Sequence, residues 1–189
     1  MKRICVMLVI CCLLGACNQT PGSRAFEKFK KQIPRLKLPY KKNCSDTVAH
    51  LKLNIPDSIL KKYAPKGVSG IIGMLEDTDF YTAIVYSVSG DIEYPIIQTY
   101  NPEGDTLNNI GILAGNCCGS DSNCSGAFWG EIFPDHSIFV HDSERTYLND
   151  ENGKKSSTKF NTINTSEMYS ITKDGYIRSK SSVDSASKS

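Results

Sequence analysis

From Phe80 onward the chain alternates. Phe80, Thr82, Ile84, Tyr86 and Val88 fall on one side of an extended strand, and Tyr81, Ala83, Val85 and Ser87 on the other. Both sets are largely apolar, which predicts a central strand covered on both faces. Ser89-Gly90-Asp91 turns the chain. Residues 92–100 predict the return strand, but Pro95 lacks a ladder donor there, so an edge position or a bulge is expected. Asn101-Pro102-Glu103-Gly104-Asp105 is a turn sequence, and residues 107–114 continue the meander. Residues 127–133 and 137–141 predict two further strands about Pro134-Asp135. Asn152-Gly153 and Asp174-Gly175 tolerate positive φ and predict hairpins. Residues 160–163 and 168–172 supply the last core strands, and residues 68–75 supply a first one ahead of Phe80. The fold class is therefore mainly β: an antiparallel β-meander, as a curved sheet or small sandwich.

Ahead of the strands the apolar spacing changes from two to three and four. Phe26, Phe29 and Ile33 form one face of a short helix over residues 25–33, which Pro34 stops. Arg24, Lys28, Lys30, Lys31, Arg35, Lys37, Lys41 and Lys42 surround it against one acid, Glu27. Two readings fit. Either the segment lies on anionic lipid, or its phenylalanines pack on the sheet and its lysines face water. Residues 36–40 read as an extended crossing. Pro56-Asp57-Ser58 opens a second short helix at 59–63, with Asp57 or Ser58 placed to cap it. One or two N-terminal helices thus cover one side of the sheet. Residues 179–189 are Ser, Lys and Asp with little to bury, which predicts a disordered tail.

The first residues change the picture of where this domain works. Lys2 and Arg3 precede an apolar run over residues 4–14, too short to span a bilayer, which needs about 20 residues. It fits the apolar core of a secretory signal. Leu14-Gly15-Ala16-Cys17 follows at once and resembles the lipobox of bacterial lipoproteins. That resemblance implies cleavage before Cys17 and a diacylglyceryl thioether on its sulfur, usually with an added acyl chain. The expected organisation is a signal peptide at 1–16, a lipidated tether at 17–24, a single β-rich domain at 25–178 and the tail at 179–189. The processed chain then carries 20 basic and 20 acidic residues, because Lys2 and Arg3 leave from totals of 22 and 20. Formal neutrality argues against nucleic acid as a partner.

The lipobox, the Phe-x-x-Phe segment, the Leu38-Pro39-Tyr40 crossing and the meander with its Tyr-Asn-Pro-Glu-Gly-Asp turn together resemble small uncharacterised lipoproteins of Bacteroidota. The resemblance implies an outer-membrane location, on the periplasmic or the surface face, and implies no activity. Asp46-Thr47-Val48, Asp57-Ser58-Ile59, Asp105-Thr106-Leu107 and Asp184-Ser185-Ala186 also match a short O-glycosylation pattern of such bacteria.

Candidate chemistry is sparse. Once Cys17 carries lipid, Cys44, Cys117, Cys118 and Cys124 remain, an even number in an exported chain, and they are the disulfide candidates. Adjacent cysteines pair only with strain. Cys118 with Cys124 and Cys44 with Cys117 is one connectivity; the other exchanges Cys117 and Cys118. A four-thiolate zinc site lacks Cys-x-x-Cys knuckles, and redox catalysis lacks a Cys-x-x-Cys pair, so no metal and no cofactor are expected. His136 and His141 are five apart and face opposite sides of a continuous strand; both read as surface turn residues. Gly-x-Ser-x-Gly, His-Glu-x-x-His and phosphate-binding glycine loops are absent, so no catalytic residue is nominated. Tyr81, Tyr86, Tyr94, Tyr100, Phe128, Trp129 and Tyr147 are spread through the strands, mostly as core. If Phe128 faces in, Trp129 faces out in a regular strand, or the reverse. Trp129 is the one nominated ligand contact, as part of a stacking platform for sugars. The expected function is a lipid-anchored envelope protein that binds or supports without catalysis, with an envelope protein or a glycan as candidate partner. An envelope or glycan hydrolase is the alternative, and a thiol-redox or metal-binding protein the third.

Overall fold

Strand β3 (Thr82–Val88) is buried along its whole length, and the rest of the domain is laid against its two faces. A computed structural model of the chain describes residues 21–43, 46–90, 93–112, 124–149 and 155–188. β3 lies between β2 (Val68–Asp77) and β4 (Tyr94–Tyr100), and β5 (Thr106–Gly111) completes an antiparallel sheet in the order β2-β3-β4-β5. The second sheet holds β1 (Tyr40–Asn43), β6 (Cys124–Ile132), β7 (Ile138–Asn149), β8 (Lys155–Ile171) and β9 (Ile177–Lys188) in the order β1-β6-β7-β8-β9. Among the described residues, two helices, α1 (Pro21–Lys30) and α2 (Asp57–Tyr63), stand apart from both. The class is mainly β, as the alternation from Phe80 predicts.

The alternation along β3 feeds two cores. Ile84 and Tyr86 pack with Phe26, Phe29, Tyr63 and Tyr100 under the helices. Ala83 and Val85 pack with Ile112, Ile132 and Ile138 against the five-stranded sheet. The molecule is a stack of three layers: helices, four-stranded sheet, five-stranded sheet. β2 would be an open edge, but Leu36 N donates to Met74 O at 2.8 Å, Met74 N to Pro34 O at 2.9 Å and Leu51 N to Ile71 O at 2.9 Å. The crossing segments thus satisfy backbone groups that an uncovered edge leaves open to other chains.

The phenylalanines of α1 point into the domain, at 0% exposure for Phe26 and 1% for Phe29, while Arg24, Lys28 and Lys31 are exposed. α1 begins at Pro21, inside the segment expected as a tether. Proline suits a first helical position, where its missing N–H costs no bond. The expected cap of α2 is corrected: Pro56 holds the cap position and neither Asp57 nor Ser58 makes a side-chain cap bond. Asp57 instead sits in the first turn, where a carboxylate favours the positive end of the helix.

Three other expectations change. β4 is an inner strand, not an edge. Pro95 is tolerated because its carbonyl accepts from Ile112 N at 2.9 Å where the β4–β5 ladder ends, so the missing N–H falls at that end. The two strands expected at 160–163 and 168–172 are one, β8. The Ser-rich end is not a disordered tail: it forms β9, paired with β8 from Ile171↔Ile177 to Asn161↔Lys188. Ladder bonds need no side-chain burial, and Ile177 packs into the second core to start the strand. The hairpin before it turns at Gly175, with φ +85, where a Cβ would also lie 2.7 Å from Tyr81. The Asn152-Gly153 turn lies outside the described residues, though β7 and β8 on either side of it pair antiparallel. The four glycosylation-pattern acceptors, Thr47, Ser58, Thr106 and Ser185, are all exposed.

Burial also sets an alkaline limit. The Tyr40 hydroxyl is pushed up to about 12, by burial first and then by the Asp46 carboxylate, from an ordinary value of 10.0. The folded chain therefore holds this proton more tightly than the unfolded one. Stability is unaffected by it below pH 10 and falls as pH rises from 10 towards 12. Tyr81, Tyr86 and Tyr100 are raised as well, each mainly by burial. Denaturant midpoints across that range, read beside tyrosinate absorbance, should fall together with the first buried ionisation. A midpoint flat to pH 12 would contradict the packing of Tyr40.

Candidate functional site

Three hairpin turns meet at one end of the stack. In the first, between β2 and β3, the Thr78 hydroxyl accepts from Phe80 N at 3.2 Å and Tyr81 N at 3.0 Å. In the second, between β6 and β7, Asp135 accepts from Ser137 N at 3.0 Å and Ser137 Oγ at 2.6 Å. These bonds hold the Asp135 carboxyl below its usual range. In the third, between β8 and β9, the Thr172 hydroxyl donates to Asp174 and accepts from Tyr176 N at 3.1 Å. Each tip is fixed by its own short polar side chain, so the space between them is preformed.

That space is a cleft of about 570 Å³. Glu76 anchors its wall: its carboxylate accepts from the Tyr81 hydroxyl and lies 3.2 Å from His136 Nδ1. Burial and this carboxylate raise the Tyr81 hydroxyl. His136 has φ 62, a left-handed backbone uncommon for a residue with a Cβ. Phe80 stands at the mouth at 70% exposure, and Asp79 and Lys173 complete the rim. The cleft therefore offers an aromatic face beside fixed hydrogen-bonding groups, the usual make-up of a small-ligand site. The Thr78 and Thr172 hydroxyls are committed to their turns.

Trp129 lies elsewhere, on the outward face of the five-stranded sheet. Phe128 beside it is buried at 4%, as strand alternation requires. Trp129 pairs with His141 in the β6–β7 ladder. Its ring centroid is 4.8 Å from that of Phe139 and 5.8 Å from that of His141. Lys41 Nζ sits 4.5 Å over the indole and 3.9 Å from Glu131. His141 Nδ1 is 2.8 Å from Ser166 Oγ. Further along the same face Tyr147 and Phe160 meet at 6.1 Å, with Arg145 4.2 Å over Phe160. The outward platform is thus Trp129, Phe139 and His141, while Tyr81, Tyr86 and Tyr100 are core.

His136 is a turn residue as read, but His141 is not: it stands inside β7. The i, i+2 spacing of Phe139 and His141 is the signal that could have placed both beside Trp129. Glu76, Tyr81 and His136 carry no such signal, because three separate turns bring them together. Cys17, Cys44, Cys117 and Cys118 lie outside the described residues, and of Cys124 only its backbone place at the start of β6 is described. Among the described residues no group of three or more His, Cys, Asp or Glu could hold a metal ion. No family model matches the sequence, and no curated protein or solved structure does either.

Proposed function

We propose that this is a lipid-anchored protein of a bacterial cell envelope, tethered to a membrane through acylated Cys17, that works by binding and not by catalysis. One observation carries the reading: Leu14-Gly15-Ala16-Cys17 stands directly after a basic start and a short apolar run. Among the described residues no helix is long and apolar enough to cross a membrane. The preformed cleft and the outward Trp129 platform support binding as the task, with an envelope glycan or protein as partner. Acyl chains hold stably when two or more are present. Cys17→Ala should therefore move the protein from the membrane fraction to the soluble fraction on cell lysis and ultracentrifugation. Retention of the variant in a carbonate-washed membrane pellet would defeat the reading.

A further inference from the structure

The chain is close to neutral as a whole, but its charges are sorted. Residues 21–66 carry 12 Lys and Arg against 3 Asp and Glu, while residues 67–189 carry 8 against 17. Six of those 12 bases come together on one face of the fold, while Lys41 and Lys42 of β1 lie in the five-stranded sheet. α1 and α2 lie side by side: the Phe29 and Tyr63 rings stack at 5.2 Å, and the Tyr63 hydroxyl is 3.5 Å from Gly22 O. Both helices send their apolar sides to one core with Tyr86 and Tyr100. Their other sides therefore point together away from the central sheet. Arg24, Lys28 and Lys31 of α1, Lys61 and Lys62 of α2, and Lys66 just beyond are all exposed. Among the described residues none of the six forms an ion pair, and Glu27 is engaged with Lys30 at 2.7 Å.

The same contact fixes where the amino end leaves the fold. Gly22 lies against α2, and Cys17 precedes it by five residues, at most roughly 18 Å of extended chain. A lipid on Cys17 would hold this basic face within reach of headgroups. The acidic β-sheet body lies behind it.

We propose that the outward face of the helical layer is a docking surface for anionic lipid, which seats the protein helices-down on its membrane. This deepens the lipid-anchor reading and rests on it for the nearness of the bilayer. Attraction of the six bases and repulsion of the acidic body act in one direction, within a Debye length of about 10 Å. The Trp129 platform, on the far side of the three-layer stack, then faces away from the bilayer. The charge total that argues against nucleic acid does not apply to this face alone, so a polyanion is the competing occupant.

The test is lysine acetylation footprinting of the natively processed, full-length protein in two kinds of vesicle: phosphatidylcholine alone, and phosphatidylcholine with phosphatidylglycerol. Lys28, Lys31, Lys61, Lys62 and Lys66 should be protected on the anionic vesicles only, and less so as salt rises. Lys173 and Lys180 should stay reactive on both. Each lysine near an anionic surface shifts the docked population about fivefold, so joint replacement of Lys28, Lys61 and Lys62 by Gln should weaken docking roughly a hundredfold, and by Glu further still. The corresponding Gln substitutions serve if the Glu variant fails to fold. Equal reactivity of the five lysines on both vesicles would overturn the proposal, as would tighter binding to duplex DNA than to anionic vesicles of equal phosphate content. Flotation on neutral vesicles reports the acyl anchor separately. Failure to float there, with protection kept on anionic vesicles, defeats the anchor and upholds the docking face.

Discussion

Phe26→Ala is expected to lower stability by about 3–5 kcal/mol and to release α1 from the central sheet. The ring is fully buried and touches three others, with centroids 5.1 Å from Tyr100, 5.2 Å from Tyr63 and 6.1 Å from Phe29. The turn after β4 presses on it as well. Gly104, at φ +90, has the site of its missing Cβ 2.7 Å from the Phe26 ring. A side chain at 104 would have no room, so Phe26 and the turn are fitted to each other. Tyr100 is held in β4 and cannot close over the void from its side. α1 has 10 residues, too few to persist alone in water. Loss of the anchor should therefore remove helix as well as stability, and with it the support of the basic face. Urea denaturation with far-ultraviolet circular dichroism measures both. A loss below 1 kcal/mol with unchanged helix signal would show that α1 is held by something else.

Tyr100→Phe is expected to cost about 2–3 kcal/mol, more than a hydroxyl is ordinarily worth. The Tyr100 hydroxyl is 2.5 Å from Tyr63 O, to which it donates at the end of α2. It also receives Gln98 Nε2 at 2.8 Å and lies 2.6 Å from the Tyr86 hydroxyl. Burial raises both hydroxyls, so both remain protonated in any ordinary buffer. Deleting one oxygen strands the hydroxyl of the fully buried Tyr86 and removes one of two bonds to the Tyr63 carbonyl, the other coming from Gln98 at 3.1 Å. Tyr86→Phe removes an end of the network instead of its centre, and should cost about 1 kcal/mol. Equal losses for the two variants, measured under the same conditions, would contradict the central place given to Tyr100.

The parts of the fold legible in the sequence are those set by local period and turn chemistry. β3 shows two apolar sets in alternation and proves buried on both faces. Phe26, Phe29 and Ile33 show helical spacing and prove to be one buried stripe, which decides that segment for packing on its apolar side. Asp174-Gly175 names its hairpin. What was missed depends on partners distant in sequence. β9 looks like solvent-loving chain because its serines bury little, yet β8 supplies a full ladder for it to pair with. Pro95 argues for an edge only until the end of the β4–β5 ladder is seen beside it. The cleft joins Glu76 and residues 78–81 with Asp135, His136 and residues 170–173, and no local pattern announces that three turns share one end of a sandwich. Parity put Trp129 and Phe128 on opposite faces, and the burial of Phe128 decided which of them points out. Its companions Phe139 and His141 needed the ladder register. The sorting of charge was present in the sequence throughout, hidden by totals that cancel.

The lipid on Cys17 underlies both the proposed function and the orientation on the membrane. Mass spectrometry of the amino-terminal peptide from protein purified out of its native membrane tests it most directly. The account predicts a chain beginning at Cys17 with a diacylglyceryl group on its sulfur. A chain that retains residues 1–16, or one that begins at an unmodified Cys17, would contradict it.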